Sequence, residues 1–331
     1  MKKQGQWVDE ASKSRYRALC ETEKGIPLFC QAWWLDAVCN EENWNVALVE
    51  NGETVIGALP YYFKTTRRSI TIQQPALTQH TGPWIAYPDG QKYHSRISLE
   101  MKVLNELIEK LPDFAAFSQS FHCSVRNWLP FYWKGFTQTT RYTYIIEDLS
   151  NLEEVFANIR SNIKTDIRKA DKTVAVAQSD DIDEFYAINM LTFARKNLGV
   201  PYSIDFLRRV DSHIAKRACR RIFIARDKSN GSIHAGVYLV WDAKSAYYLM
   251  GGGDPVLRNS GATSLLLWDA IQFAATVAEK FDFEGSMVEP VERYFRAFGA
   301  IQTPYSQIKK TQGFTSIYQS ARTLMRQLLN R

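Results

Sequence analysis

The sequence reads as an α/β protein (strands and helices mixed, α+β in detail) built from two domains, each a mixed central sheet flanked by helices. Three observations predict this. First, 331 residues exceed what one hydrophobic core ordinarily organises, and two domains of roughly 150 residues are expected. Second, two β-hairpin signatures share one layout: NVALVE-NG-ETVIGALPYYF over 45–63 and RIFIARDKS-NG-SIHAGVYLVWD over 221–242. Each has a second glycine five positions after the first, and Gly52/Gly231 and Gly57/Gly236 are both 179 residues apart (231 − 52 and 236 − 57). Third, Ser245 to Ala300 runs strand, polar loop, apolar helix, strand and short helix in close succession.

Taken in chain order, Asn-Gly between two apolar runs predicts a tight hairpin, since both residues tolerate positive φ. A boundary is expected near 145, giving domains over 1–145 and 146–331. TYIIEDLS opens the second half as a strand ending in a turn, with Ser150 as N-cap of one helix over NLEEVFANIRSNIKTDIRKA. A second helix covers IDEFYAINMLTFARKNL, stopped by Gly199 and Pro201. SAYYLMGGGD is a strand, and Ser264–Glu279 a helix apolar almost all round, hence packed against a sheet. KFDFEGS alternates Phe281 and Phe283 with Asp282 and Glu284, and is expected as a strand with a core face and an acidic face. Pro290 and Gly299 bracket the last short helix. The tail SIYQSARTLMRQLLNR is amphipathic and basic, and is expected to dock on its own domain or to touch a membrane surface.

Composition bounds the function. The chain is 45% hydrophobic and 23% charged, which suits a soluble protein; its formal charge of +6 is modest for the length and allows an anionic partner such as phosphate, nucleotide or RNA without requiring one. No run reaches the roughly 20 apolar residues of a membrane span, so no stable membrane insertion is expected. The five cysteines lack C-x-x-C spacing and fit reduced thiols in the cytoplasm. His80, His94, His122, His213 and His234 show no zinc spacing, and no metal is expected.

Several residues could carry chemistry. The loop Arg258, Asn259, Ser260, Gly261, Ala262 and Thr263 is either an ordinary strand–helix turn or an anion site, since it precedes a helix N-terminus whose N–H groups suit an anionic carrier. Glycines at a strand end mark a bulge or splay, and N–H groups near Met250, Gly251 and Gly252 could polarise an acyl carbonyl. Glu284 could take a proton from an attacking amine, or be a solvated acid. Tyr294 is core or reaches the site with its hydroxyl. Arg160, Lys164, Arg168 and Lys172 form a basic stripe, either solvated or aligned with a phosphate backbone. Arg195 is a further anion-binding candidate, and His80 and Trp84 are either core or substrate contacts.

Together YYLMGGGDPVLRNSGATSLLLWDAIQFA, FDFEGS and ERYFRAFGA resemble the second domain of FemAB-like proteins, the methicillin-resistance-factor relatives within the GNAT acyltransferase superfamily. RSNIKTDIRKADK with TFARKN resembles the start of that domain, and QPALTQHTGPW is similar to a segment of the first. The resemblance implies two GNAT-like domains facing across a cleft. It also implies an acyl donor, aminoacyl-tRNA or acyl-CoA, held by the loop Arg258–Thr263, with no tightly bound cofactor. Two departures from the usual GNAT pattern stand out: Thr263 replaces a small residue, and Phe295 stands where many acetyltransferases have a tyrosine acid.

The expected activity is therefore transfer of an activated acyl or aminoacyl group to the amine of an anionic or lipid-linked cell-envelope precursor or sugar nucleotide, as in peptidoglycan or polysaccharide biosynthesis. The partners would be that precursor and, for an aminoacyl donor, tRNA. The alternatives are an acyl-CoA-dependent N-acetyltransferase and a non-catalytic binder of RNA or anionic glycan. The expected location is cytoplasmic, either free or peripheral at the inner membrane face.

Overall fold

A computed structural model describes residues 8–65, 69–194, 199–285 and 287–312. The first elements are helices α1 (Glu10–Thr22) and α2 (Ala32–Cys39), then strands β1 (Trp44–Asn51), β2 (Thr54–Thr65), β3 (Ile70–Gln73) and β4 (Trp84–Ile85). Helix α3 (Tyr93–Glu109), strand β5 (Phe114–Ser120), helix α4 (Leu129–Trp133) and strand β6 (Thr137–Ile146) follow. Next come helices α5 (Leu152–Asn158) and α6 (Ser161–Thr173), strand β7 (Val174–Ser179) and helices α7 (Ile182–Ala194) and α8 (Ile204–Lys216). The remainder is β8 (Arg220–Asp227), β9 (Ile233–Trp241), β10 (Ser245–Gly253), α9 (Ala262–Ala274), β11 (Lys280–Asp282), α10 (Glu289–Arg296) and β12 (Ile301–Thr311).

The chain forms two compact units, one of residues up to Arg141 and from Tyr305 on, the other Tyr142–Pro304. This differs from a second domain over 146–331: β12 pairs antiparallel with β5 from Gln307↔Ser120 to Thr311↔Ala116, which returns the chain to the first unit. In that unit β1, β2 and β3 pair antiparallel and β3 pairs parallel with β5 across the α3 crossover. Its core gathers Leu59, Phe63, Ile72, Val103, Leu107, Phe117, Phe131 and Ile308.

The second unit repeats the plan. Strands β8, β9 and β10 pair antiparallel, β10 pairs parallel with β11 across the α9 crossover, and β7 flanks β8. Helix α9 covers one face, where Leu266, Ala270 and Ile271 pack with Ala235, Val237 and Leu239. Helix α7 covers the other, with Phe185 edge-on to Tyr238.

Both hairpins form, but their turns differ from a simple Asn-Gly pair. Asn51 pairs with Thr54, leaving Gly52 and Glu53 as the loop, whereas the second loop spans 228–232 and is closed by Asp227 N–H to Ser232 O at 2.8 Å. The equal glycine spacing therefore falls on different faces. A Cβ at Gly57 would lie 2.3 Å from Val103 of α3, while one at Gly236 would meet Ile188 of α7 at 3.1 Å.

Local corrections are equally physical. Asn151, not Ser150, caps α5, its side chain accepting from Glu154 N–H. The single helix expected over 151–170 breaks at Ile159–Arg160, where Arg160 N–H donates to Ala297 O at 2.9 Å instead of continuing the ladder. Helix α9 starts at Ala262 and ends at Ala274, short of Glu279. Strand β11 has only three residues, and Glu284 leaves it with φ +56°. Among the described residues no helix is long and apolar enough to cross a membrane. The amphipathic tail and Arg195 lie outside the described residues.

Candidate active site

The site begins with how β10 and β11 part. Their parallel register covers only Ser245–Tyr247 against Lys280–Asp282. Strand β10 runs on to Gly253 while β11 turns away, and β10 carries a bulge between Tyr248 and Met250. Such a bulge re-aims side chains and backbone groups. Here it brings Tyr248 over Gly251: a Cβ on Gly251 would lie 1.8 Å from the Tyr248 hydroxyl. Gly252 faces the other way, where a Cβ would lie 2.5 Å from the Ile188 carbonyl in α7.

Glu284 stands at the point of divergence. Its left-handed backbone is costly for a residue with a side chain, and it is enforced from both sides. Asp282 Oδ1 accepts the Glu284 N–H at 2.7 Å. Gly285, φ +55°, presses on the β6 backbone, where a Cβ would meet Tyr142 O at 2.2 Å. The Glu284 Oε1 is out of solvent and without a hydrogen-bond partner. Burial, and then the charge of Asp282, holds this carboxyl well above the usual range. Asp282 is buried and accepts from Thr143 Oγ1. Burial pushes it up to about 6 against the hydrogen bonds from Thr143 and Glu284. Of the acidic face expected of this strand, Asp282 is thus interior and Glu284 is partly buried, with its Oε1 out of solvent.

Tyr248 joins the two sides. Burial, and then Glu284, pushes its phenol up to about 12, and its ring packs edge-on to Phe295 at 5.9 Å. Tyr294 has its hydroxyl 3.0 Å from Ser264 Oγ in the first turn of α9. Burial raises it too, with Tyr248 contributing. On the far side of the strand, Asn189 Nδ2 donates to Gly251 O at 2.8 Å, and Asn189 Oδ1 accepts from Tyr202 Oη at 2.9 Å. The Tyr202 hydroxyl also lies 3.2 Å from Met250 Sδ.

The loop before α9 is a short 3₁₀ turn, Arg258–Ser260, closed by Gly261 at φ +81°. Ser260 Oγ accepts Ala262 N–H at 3.3 Å, and Lys169 of α6 donates to Asn259 O at 2.7 Å. Gly261 is needed for helix packing: a Cβ would lie 2.4 Å from Asp166 O in α6. Thr263 is close to the strand end, its Oγ1 3.7 Å from a Cβ built on Gly253. Arg258 and Arg168 are exposed. Lys164 donates to Ala157 O at 2.8 Å and sits over the Phe156 ring, which interrupts the expected basic stripe.

Glu284, Tyr294, Met250–Gly252 and the 258–263 loop therefore belong to the second unit, with α6 alongside the loop. His80 and Trp84 belong to the first. His80 is buried, its ring 4.4 Å from that of His122, and burial, then His122, holds its imidazole well below the usual value. Trp84 pairs with Ala58 in the sheet. Sequence reading passed over Tyr248, Asn189 and Tyr202. The one available signal was Tyr248 three residues before Gly251, a spacing that a bulge turns into contact. A cavity of about 220 Å³ opens elsewhere in the second unit between Glu147, Asp148, Asn151 and Phe298, and shares no lining residue with this site. Among the described residues no group of three or more His, Cys, Asp or Glu could hold a metal ion.

Residues 157–296 match the acetyltransferase (GNAT) domain family. No curated protein matches the chain. Among solved structures it is similar to FemX, with a TM-score of 0.63 at 11% identity over 89% of this chain and 95% of that one. L-PGS from Bacillus licheniformis superposes with a TM-score of 0.54 at 11% identity over 96% of each chain. A tandem GNAT protein from the clavulanic acid biosynthesis pathway gives 0.51 at 12% identity over 92% and 96%. The FemAB-like resemblance is borne out at the level of the fold: residues 157–296 match the GNAT domain family, and the chain shares the fold of FemX over most of both lengths.

Proposed function

We propose that the protein is an N-acyltransferase whose reaction centre lies where β10 and β11 diverge. The observation that carries this reading is the Glu284 carboxyl, whose Oε1 is out of solvent and without a hydrogen-bond partner, on a left-handed backbone beside Tyr248 and the bulged strand. A carboxyl with a raised pKa is better matched to taking a proton from an amine near neutrality. The amine nitrogen bonds to the acyl carbon, the carbon–oxygen or carbon–sulfur bond to the carrier breaks, and the amine proton passes to Glu284. Tyr248 remains a protonated phenol and gives a hydrogen bond to the departing atom. Backbone N–H groups of Met250–Gly252 stabilise the developing oxyanion, while Asn189, through the Gly251 carbonyl, orients that peptide.

The acceptor we favour is the amine of an anionic cell-envelope precursor or sugar nucleotide, with Arg258 and Arg168, both exposed beside the donor loop, engaging phosphate. Thr263 and Phe295 favour an aminoacyl ester from tRNA as donor. A second reading, with acyl-CoA, is supported by the preformed Gly261 turn, since a helix N-terminus suits a pyrophosphate. Calorimetric titration with CoA and acetyl-CoA separates the two: saturable binding selects acyl-CoA, and silence with transfer from radiolabelled aminoacyl-tRNA selects the ester. With the productive donor, Glu284→Gln should lower kcat about 10²-fold and leave donor affinity unchanged. Unaltered turnover would remove Glu284 from the chemistry.

A further inference from the structure

We propose that the first unit docks on an anionic membrane surface through α4, an inference that needs no assumption about the reaction. Leu129, Tyr132 and Trp133 occupy i, i+3 and i+4 of this helix and so share one side of it. They are 43%, 60% and 57% exposed. Pro130 and Phe131 on the other side are buried, with Phe131 edge-on to Phe121 and Phe136 at 5.1 and 5.2 Å. The exposed side chains are therefore presented by an anchored element. Trp128 packs edge-on against Tyr132 at 5.6 Å, and Asn127 donates to the carboxylate of Glu100 in α3.

Contiguous exposed apolar surface of this kind marks an interaction site. Its chemistry points to a bilayer interface, where the amphipathic rings of Trp and Tyr are at home among headgroups. The frame around it is cationic. Arg126, Lys110 and Lys134 are exposed beside the helix, and Lys310 reaches in to donate to Lys134 O at 2.6 Å. The carboxylate of Glu109 is engaged by Lys134 at 2.7 Å. Such a frame complements anionic lipid. A second copy docking on the same patch would set lysine against lysine, so the charge argues for lipid over self-association.

The test is co-sedimentation of the full chain with vesicles of phosphatidylcholine alone and of phosphatidylcholine mixed with phosphatidylglycerol. The protein should bind the mixed vesicles at least about ten-fold more strongly, and less so as salt rises. Leu129→Ser/Tyr132→Ser/Trp133→Ser should lose about ten-fold or more in binding while still unfolding cooperatively, because the buried anchors Pro130 and Phe131 are kept. Lys110→Glu/Lys134→Glu, which spares the aromatics, should lose about five-fold or more. Indifference of the native chain to phosphatidylglycerol overturns the proposal. So does native-strength binding by the triple variant, and so does a dimer that Trp133→Ser dissociates, which would assign the patch to a second copy.

Discussion

Glu284 and Tyr248 divide one problem between them. A carboxyl with one oxygen out of water and without a hydrogen-bond partner is destabilised as an anion, and a phenol beside it is held protonated; the pair suits a proton entering at one group and a hydrogen bond leaving from the other. Tyr248→Phe should lower kcat about ten-fold or more with little change in unfolding midpoint, since the ring and its packing on Phe295 remain; unchanged turnover would deny the hydroxyl a role. Gly251 supplies the room. Its replacement by alanine puts a methyl 1.8 Å from the Tyr248 oxygen, so the ring must swing away, and turnover should fall with it. The two substitutions share one contact and should be non-additive. In a double-mutant cycle Gly251→Ala should cost distinctly less turnover when Tyr248→Phe is already present, and simple additivity would show that the glycine acts by another route. Gly251 stood out in the sequence but Tyr248 did not: it looks like any strand aromatic until the bulge after it turns a three-residue separation into contact.

At the scale of elements, what the sequence made legible was what local pattern determines. The glycine-ended strand, the apolar helix behind it and the proline-to-glycine span of α10 follow from periodicity and caps. What it hid was decided by distant partners. Ile159 and Arg160 read as helix, yet the Arg160 N–H is claimed by Ala297 O. Phe281–Glu284 alternates as a strand should, yet β11 stops at Asp282 because that carboxylate accepts the Glu284 N–H and turns the chain. Gly261 shows the same ambiguity, since a glycine for close ligand approach and one for close helix approach look alike in sequence. Its surroundings assign it to the junction of α6 and α9, with φ +81° and a backbone oxygen 2.4 Å from any added Cβ. That oxygen belongs to Asp166 inside a helix and cannot yield as a side-chain tip would. Gly261→Ala should therefore destabilise the protein by about 2–4 kcal/mol, read as a lower urea midpoint at unchanged slope. A loss under about 0.5 kcal/mol would mean that the turn relaxes and that the glycine answers to ligand instead.

For the whole molecule, two domains on one plan were expected from the glycine spacing; the shared order of hairpin, third strand, crossover helix and parallel strand comes from the structure, and the paired glycines serve different helices. The return of the chain from Tyr305 on to the first unit was not expected, because strand pairing over such sequence separations leaves no local mark. The buried acids set a global property as well. Asp282, Glu284 and Asp269 are all raised by burial, Asp282 and Asp269 to about 6. A group with its folded pKa above its unfolded one binds more protons when folded. Its contribution to stability is complete below the unfolded value, near 4.5 for Glu284, and is lost as pH rises through the folded value. Glu284→Gln keeps the shape and removes the titration. The variant should therefore gain stability relative to the native chain as pH is raised from 4.5 towards neutrality and beyond, the gap opening in the direction opposite to that of a salt-bridged carboxylate. Urea midpoints of both proteins across this range give the difference directly. A gap that stays constant would mean that Glu284 ionises as freely in the folded chain as in the unfolded one, and a carboxyl so well solvated would have no special basicity to offer an incoming amine.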